Sequence, residues 1–368
     1  MTVDRAVEEA KTYVAENAES VNPVLRRFWE EKRAEWQRFG QIVSGTADAY
    51  DLLTADGKKI RAALVKLGFD ACRHEDSPSS EVGDGIFRAA ACVEALHNAF
   101  LIHDDIVDNS DLRRNQITVH RRYANDNRSR FESDEAALAY GCAVALNFGD
   151  KGQALAQELL LSSGFPGEVL LRGVALLSQV TIETVTGQLL DVEDVPLREL
   201  SEEQVLRIQE YKTAHYTVML PLLLGGILAG AGPGVRESIR AYAIPIGIAF
   251  QIQDDILGLY GDSCVLGKPV DSDVREGKKT LLMVHAYEAA NAEERQVLER
   301  THGNPDLQPG DLHRVREIVR STGALERSEA MGRDFVVRGK QHITGMTESD
   351  HWRRILGGLA DYFIIRRY

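Results

Sequence analysis

Two Asp-Asp pairs are the residues of this chain best suited to chemistry. Leu101–Arg114 reads Leu-Ile-His-Asp-Asp-Ile-Val-Asp-Asn-Ser-Asp-Leu-Arg-Arg. On a helix, Asp104, Asp108 and Asp111 follow the i, i+4, i+7 pattern and share a face, with Asp105 beside Asp108. Like charges at that spacing weaken a helix unless something cationic sits over them. Apolar Phe100, Leu101, Ile102, Ile106 and Val107 set the stretch apart from an ordinary solvated acidic surface. A carboxylate row suits a hard cation such as Mg²⁺, which binds through a few carboxylates plus substrate phosphates. Arg113 and Arg114 follow at once, and guanidinium forks match phosphate oxygens. The second pair, Gln251-Ile252-Gln253-Asp254-Asp255-Ile256, repeats the pattern, with Asp262, Lys268, Asp273, Lys278 and Lys279 downstream. Two acidic helices facing each other across a cavity would hold metal between them.

Other cations lie apart from these carboxylates. Gly57-Lys58-Lys59-Ile60-Arg61 opens an apolar helix, where free N–H groups and the helix dipole favour phosphate. His97 precedes Asp104 by seven residues, on the same face, and is a candidate phosphate ligand. Lys212 and Thr213 precede an apolar helix, and Lys268 and Lys278 each follow a glycine. One metal-bound phosphate group does not need Lys58, Arg61, His97 and Arg114 as well. The economical inference is two polyphosphate sites, one at the metals and one held by side chains alone.

The elements that must position these groups read as helices. Helical spacing covers Asp4–Ala18, Pro23–Phe39, Ile60–Cys72, Gly85–Val107, Ala136–Phe148, Gly152–Leu161, Glu168–Leu190, Val218–Leu228, Val235–Leu259 and most of the remainder to Arg366. Ser201 and Gln204 form a capping box for a helix to Tyr211. Asn115–Asp134 is polar, without a period, and reads as a loop or lid. No strand alternation persists, so the fold class is all-α. No linker interrupts the chain, so one large domain over residues 1–368 is expected: peripheral helices to about residue 50, a motif-bearing core at 57–280, and C-terminal helices at 281–368.

A formal charge of −13 argues against nucleic acid or an anionic membrane surface as partner. The four cysteines, Cys72, Cys92, Cys142 and Cys264, are scattered, which fits reduced thiols in a cytoplasmic protein. Val218–Ala231, the longest apolar stretch, is interrupted by Pro221 and Gly225-Gly226 and is too short to span a bilayer, so no stable membrane insertion is expected.

With these motifs in order, the sequence resembles the trans-isoprenyl diphosphate synthases, the polyprenyl synthetase family, over roughly residues 57–280. Asp104-Asp105-Ile-Val-Asp108 with Arg113-Arg114 is similar to the family's first aspartate-rich motif. Gly57–Arg61 resembles its Gly-Lys-Arg-x-Arg motif, with Lys59 where Arg is usual. Glu94 and His97, Gly187-Gln188-Leu-Leu-Asp191, Lys212-Thr213 and Phe250-Gln251-Ile-Gln-Asp254-Asp255 match further motifs. The resemblance implies an isoprenoid-synthase helical bundle with a central cavity, and a homodimer. It implies a prenyltransferase joining isopentenyl diphosphate to an allylic diphosphate with Mg²⁺ as cofactor. By the same resemblance Asp104, Asp105, Asp108 and Asp254 bind Mg²⁺, with Asp255 supporting them. Arg113, Lys212, Lys268 and Lys278 neutralise the allylic diphosphate, while Lys58, Arg61, His97 and Arg114 hold isopentenyl diphosphate. Thr213 and Gln251 steady the developing cation. One departure stands out: Gly258 occupies the place of a usual third aspartate, and Asp262 is a possible substitute.

The resemblance also assigns Ala99 and Phe100 to the wall that limits product length. One small and one aromatic residue there point to geranylgeranyl diphosphate. The rival readings are a class I terpene cyclase, for which Asn125-Asp126-Asn-Arg-Ser129 is a superficial match, and a helical di-metal oxidase using Glu94/His97 and Glu348/His351.

Overall fold

The computed structural model describes residues 3–55, 57–73, 83–261 and 272–365. In chain order its main helices are α1 (Val3–Trp36), α2 (Gln41–Ala55), α3 (Ile60–Cys72) and α4 (Gly85–Val107). A two-stranded hairpin follows, β1 (Leu112–Arg113) with β2 (Gln116–Ile117). Then come α5 (Val119–Asp126), α6 (Asp134–Leu161), α7 (Gly167–Val192), α8 (Glu202–Ile208), a π-helix (Gln209–Met219), α9 (Leu220–Leu228) and α10 (Pro233–Tyr260). The chain ends with α11 (Ser272–Arg275), α12 (Leu281–Ala289), α13 (Ala292–Thr301), α14 (Pro309–Ser321), α15 (Ala324–Lys340) and α16 (Asp350–Ile365). The all-α expectation holds. Packing groups the residues into two compact units, Thr12–Ala175 with Leu224–Gly230, and Met1–Lys11 with Leu176–Leu223 and Ala231–Tyr368. The boundaries fall inside or at the ends of α1, α7 and α9 rather than in linkers.

The first of these units is built round α4. Every position from 89 to 99 is buried, on all sides of the helix, with Ala89, Ala95 and Ala99 completely enclosed. The helix α6 packs along it, and Gly152 of α6 makes the approach possible. A methyl group at 152 would overlap the hydroxyl of Tyr50 and stand 3.0 Å from the Ala99 Cβ. That hydroxyl donates to the Phe148 carbonyl at 3.2 Å, and the ring packs against Trp29 with centroids 5.0 Å apart.

The N-terminal helices bury large side chains here: Leu25, Phe28, Trp29 and Tyr50 are at most 1% exposed. Residues 4–18 and 23–39 do not form the separate helices that the sequence suggests. The apolar positions Val14, Ala18, Val21, Leu25 and Phe28 continue one buried face across Pro23, and α1 runs through it. Losing one backbone hydrogen bond costs less than breaking that face. Residues 136–148 and 152–161 likewise join as α6.

In the other unit α10 supplies the core face. Ile248, Ile252 and Ile256 pack with Leu281, Leu282, Val284, Val315 and Ile318. The capping box of Ser201 and Gln204 starts α8 as the sequence indicates, and the π-helix continues it without a break. Gly187 of α7 and Gly247 of α10 let both helices lie against this wider coil. A Cβ at 187 would overlap the Lys212 backbone, and one at 247 would lie 2.6 Å from the Ala214 Cα.

The tight α4–α6 approach gives a direct test. Gly152→Ala should lose about 1–3 kcal/mol by overpacking, and adding Tyr50→Phe should restore part of it, as read by urea denaturation. No destabilisation in the single variant would show that the helices are free to separate.

Candidate active site

The last turn of α4 presents Asp104 and Asp105, and Asp108 caps the helix, its N–H donating to the Asp104 carbonyl at 2.8 Å. Asn109 then takes a left-handed conformation, φ 51°, and turns the chain away. Asp111 is therefore off the helix. Its carboxylate pairs with Arg121 at 2.7 Å, so the i+7 pattern does not put it on the acidic face.

The residues expected as a loop or lid, 115–134, form the second hairpin strand, then α5 and a short 3₁₀ turn. Two-residue strands are too short to leave an alternating pattern. Arg114 and Asn115 occupy the two-residue turn with φ 52° and 60°, the left-handed pair of a type I′ hairpin. The two arginines of the motif thereby diverge. Arg113 lies on the strand, with Nε 2.7 Å and Nη2 2.6 Å from the same Asp105 oxygen, and Nη2 3.5 Å from Asp104. Asp105 is only 2% exposed. Burial opposes the charge on Arg113, but the Asp105 and Asp104 carboxylates outweigh it and hold its pKa above the ordinary guanidinium value. Arg114, in the turn, donates instead to the Leu53 carbonyl at 2.6 Å and lies against Gly57.

That contact brings the cationic segment 57–61 to the hairpin. Lys59 is buried and left-handed, φ 42°, immediately before α3, while Lys58 is exposed and Arg61 partly exposed. Among the described residues, the non-glycine residues with positive φ are Lys59, Asn109, Arg114 and Asn115. All four stand at these two motifs, the concentration of backbone strain that functional sites show. Glu94 is buried, and its Oε1 accepts the Ala62 N–H at 3.1 Å, so part of the anion-binding capacity at the start of α3 is met by the protein itself. His97 is buried too. Desolvation, then Arg61, Arg114 and Arg113, hold its imidazole well below the usual range, so it is neutral and offers a hydrogen bond rather than a charge. Ala99 is closed in by α6, whereas Phe100 is partly exposed.

In the other unit, the Lys212 ammonium on the π-helix reaches Asp191 at 2.5 Å. The C-terminal end of α7, which carries Asp191, is held by Lys279. Its ammonium donates to the carbonyls of Leu190 at 3.0 Å, Asp191 at 2.7 Å and Glu193 at 2.5 Å. Thr213 follows on the π-helix, partly exposed. Asp254 and Asp255 lie on α10. Both Asp255 oxygens accept amide N–H groups, from Gln251 at 2.7 Å and from Gln209 at 2.9 Å. Desolvation pushes its carboxyl up to about 8, against the Gln251 and Gln209 donors and helped by the nearby Asp273 and Asp254 charges. Lys278 pairs with Asp273 at 3.3 Å and with Glu276 at 3.0 Å. Lys268 and Asp262 lie outside the described residues.

The residues of the rival constellations are exposed or already engaged. Glu348 and His351 are solvent-exposed at the start of α16, and Glu94 caps α3. Asn125 and Asp126 are exposed at the end of α5. The polyprenyl synthetase family model matches residues 45–319, which carry both acidic motifs and the cationic segment 57–61. The chain belongs to the polyprenyl synthetase family. A geranylgeranyl diphosphate synthase of Saccharolobus solfataricus is 34% identical over 275 residues, 74% of this chain and 75% of that protein. A (2E,6E)-farnesyl diphosphate synthase of Mycobacterium bovis is 31% identical over 317 residues, 84% of this chain and 80% of that one. The structure of a geranylgeranyl pyrophosphate synthase from Corynebacterium glutamicum, complexed with isoprenyl diphosphate and magnesium, matches at a TM-score of 0.89. It is 32% identical and covers 96% of this chain and 99% of that one. The chain is thus a trans-prenyltransferase of the isoprenoid-synthase fold, acting on isoprenoid diphosphates.

The donor set fits a hard divalent cation. Asp104 keeps 23% of its side chain exposed, and Asp108 stands one turn further on, so both offer carboxylate oxygens without leaving the helix end. Gln209 is a site residue that the motifs do not reveal. Its amide serves Asp255 from another helix, a long-range contact with no sequence spacing to announce it.

Removing the Arg113 charge should isolate a buried carboxylate. Arg113→Met should destabilise by about 3–5 kcal/mol. Guanidinium titration checks this, and a loss below about 1 kcal/mol would mean the pair behaves as a surface ion pair.

Proposed function

We propose that this prenyltransferase condenses isopentenyl diphosphate with an allylic diphosphate in the presence of Mg²⁺, releasing geranylgeranyl diphosphate as its main product. The observation that carries the reading is the divergence of Arg113 and Arg114. One guanidinium faces the carboxylates of α4, and its neighbour faces the carboxylate-poor segment 57–61. Consecutive residues so placed serve two different anions, as a two-diphosphate reaction requires.

In this reading Asp104 and Asp108 in one unit, and Asp254 in the other, would offer carboxylate oxygens to a divalent cation for the allylic diphosphate. Asp105, locked to Arg113, supports them from within the protein rather than ligating. Lys212, Lys268 and Lys278 add positive charge to the same diphosphate. Lys58, Arg61 and Arg114 grip isopentenyl diphosphate with neutral His97 as a hydrogen-bond donor. When bound, the divalent cation supplies charge neutralisation for the departing pyrophosphate. The allylic C–O bond breaks with its electrons going to pyrophosphate, and the double bond of isopentenyl diphosphate attacks the cationic carbon. A proton then leaves to restore a double bond, and we assign it to the released pyrophosphate. Thr213 and Gln251 orient oxygen dipoles toward the cation, a preorganised electrostatic contribution. The apolar surroundings exclude water.

For product length, burial favours one of the two wall positions. Ala99 has no open space beside it, so Phe100, one turn before Asp104 on the same face, is the residue placed to meet a growing tail. Named relatives make both geranylgeranyl and farnesyl diphosphates, which brackets the expected size.

The test is a condensation assay with a farnesyl primer, isopentenyl diphosphate and Mg²⁺, followed by chromatography of dephosphorylated products. Wild-type protein should give geranylgeraniol, Asp104→Asn or Asp254→Asn should lose at least about a hundredfold in rate, and Phe100→Ala should lengthen the product. A cyclic hydrocarbon would support the cyclase reading, and unchanged length in Phe100→Ala would place the floor on another residue.

We also propose a cytoplasmic homodimer working as one synthase domain. Gly85–Val107 and Gly167–Val192 are long and apolar enough to cross a membrane, but α4 is buried in its unit. On α7, Ile182, Val185, Leu189 and Val192 are 46–68% exposed. Their 3-4-3 spacing is the seam of helix–helix association, which a second copy would cover. In detergent-free buffer, light scattering should return twice 40.8 kDa. An active monomer would overturn this.

A further inference from the structure

Lys278 and Lys279 are neighbours in sequence that serve different partners. Lys278 pairs with Asp273 and Glu276, whereas the Lys279 side chain runs to the end of α7. Lys279 is 9% exposed, and its ammonium donates to the carbonyls of Leu190, Asp191 and Glu193 at 2.5–3.0 Å. A helix leaves its last carbonyls without partners of its own, and its dipole favours a cation there. A lysine ammonium has three hydrogens to donate. All are committed to backbone, so Lys279 keeps none for a phosphate oxygen.

Lys212 is fixed to the same end of α7 at two points. Its backbone lies where a side chain on residue 187 would go, with N 2.2 Å from a Cβ built on Gly187. Its ammonium pairs with Asp191 at 2.5 Å, one helical turn beyond Gly187 and on the same face. Burial holds the Lys279 pKa below its ordinary value; the Asp191, Glu193 and Asp194 charges oppose this, and the Lys212 charge adds to it. The two ammonium groups are thus within electrostatic reach of each other, with the last turn of α7 between them.

We propose that Lys279 is a positioning residue of this enzyme: by tying down the C-terminal end of α7 it holds Asp191, and through Asp191 it aims the Lys212 ammonium at the allylic diphosphate. This rests on the assignment of Lys212 to that diphosphate given above, and adds the residue that keeps it in place.

The rival route is that Lys279 secures the loop presenting Lys278. That loop has contacts of its own. Gly277 is left-handed, φ 67°, and the Lys278 N–H donates to the Asp273 carbonyl at 2.9 Å. Nε2 of His302 stands 3.2 Å from the Lys278 carbonyl, and the Thr280 hydroxyl accepts the Met283 N–H at 3.3 Å to start α12. The end of α7 is what Lys279 alone supplies with three side-chain hydrogen bonds.

Calorimetric titration of full-length protein in Mg²⁺ with farnesyl diphosphate, and separately with isopentenyl diphosphate, reads each site without turnover. Lys279→Met should weaken farnesyl diphosphate by at least about tenfold. It should leave isopentenyl diphosphate within about twofold, whereas general damage to the fold moves both. Lys279→Arg, whose guanidinium still donates to carbonyls, should recover most of the loss. In a Lys212→Met background, Lys279→Met should cost less than about a further twofold, because the group it aims is gone. Lys279→Gln carries the same comparisons if the methionine variant does not fold.

Equal weakening of both substrates, or losses in Lys212→Met and Lys279→Met that multiply, would overturn the proposal. Losses that multiply with Lys212→Met but not with Lys278→Met would assign Lys279 to the loop instead. Failure of the condensation reading would look different, as wild-type protein that binds both diphosphates yet forms no elongated product; the binding comparisons still decide the role of Lys279.

Discussion

Concentrating carboxylates at the end of an apolar helix is the constraint that the acidic unit answers. Asp104 and Asp105 are adjacent in sequence and Asp108 is one turn away, so their repulsion must be balanced before any ligand arrives. The Arg113–Asp105 pair does this inside the protein, and it fixes more than charge. It requires a hairpin that returns the chain within a few residues of the helix end. It also requires left-handed backbone at Asn109, Arg114 and Asn115. The strained turn and the buried ion pair are two sides of one solution. The pair holds the turn in place, and the turn sends Arg114 to the opposite task.

The other acidic pair is balanced differently. Among the described residues no guanidinium meets Asp255; two glutamine amides do, one from its own helix and one from the π-helix. An amide donates a hydrogen bond without cancelling charge, so this carboxyl remains electrostatically expensive where Asp105 is neutralised. Lys212 and Lys279 complete the local order through Asp191 and the last carbonyls of α7. A single backbone end therefore sets the position of a cationic side chain one helix away.

Much of this could be read from residue order. Helical spacing gave the all-α class and the exact span of α4, and the capping box located α8. The acidic pairs and the cations near them are visible because their chemistry is local. What could not be read depends on contacts between distant residues. Pro23 signals a break that a continuous buried face overrides. The hairpin strands are two residues long and carry no pattern. Ala99 looks like an open, small wall residue until Gly152 and Tyr50 are seen to close over it. Gly258 departs from the motif where a Cβ would overlap the Asp273 carboxylate, and Gln209 has no motif at all.

The π-helix has a consequence for how this chain tolerates change in length. Its eleven residues are wound with i→i+5 bonds, wider than the α-helices on either side. Such a coil is one residue richer per few turns than the α-helix it interrupts. Deleting a residue between Gln209 and Met219 would let ordinary α bonding resume, a locally favourable outcome. It would also turn Gln209 and Lys212 by about 100° against the helix that follows. The segment can therefore accept many exchanges of side chain, yet it is intolerant of a single lost residue, because the phase between α8 and α9 is stored in its length.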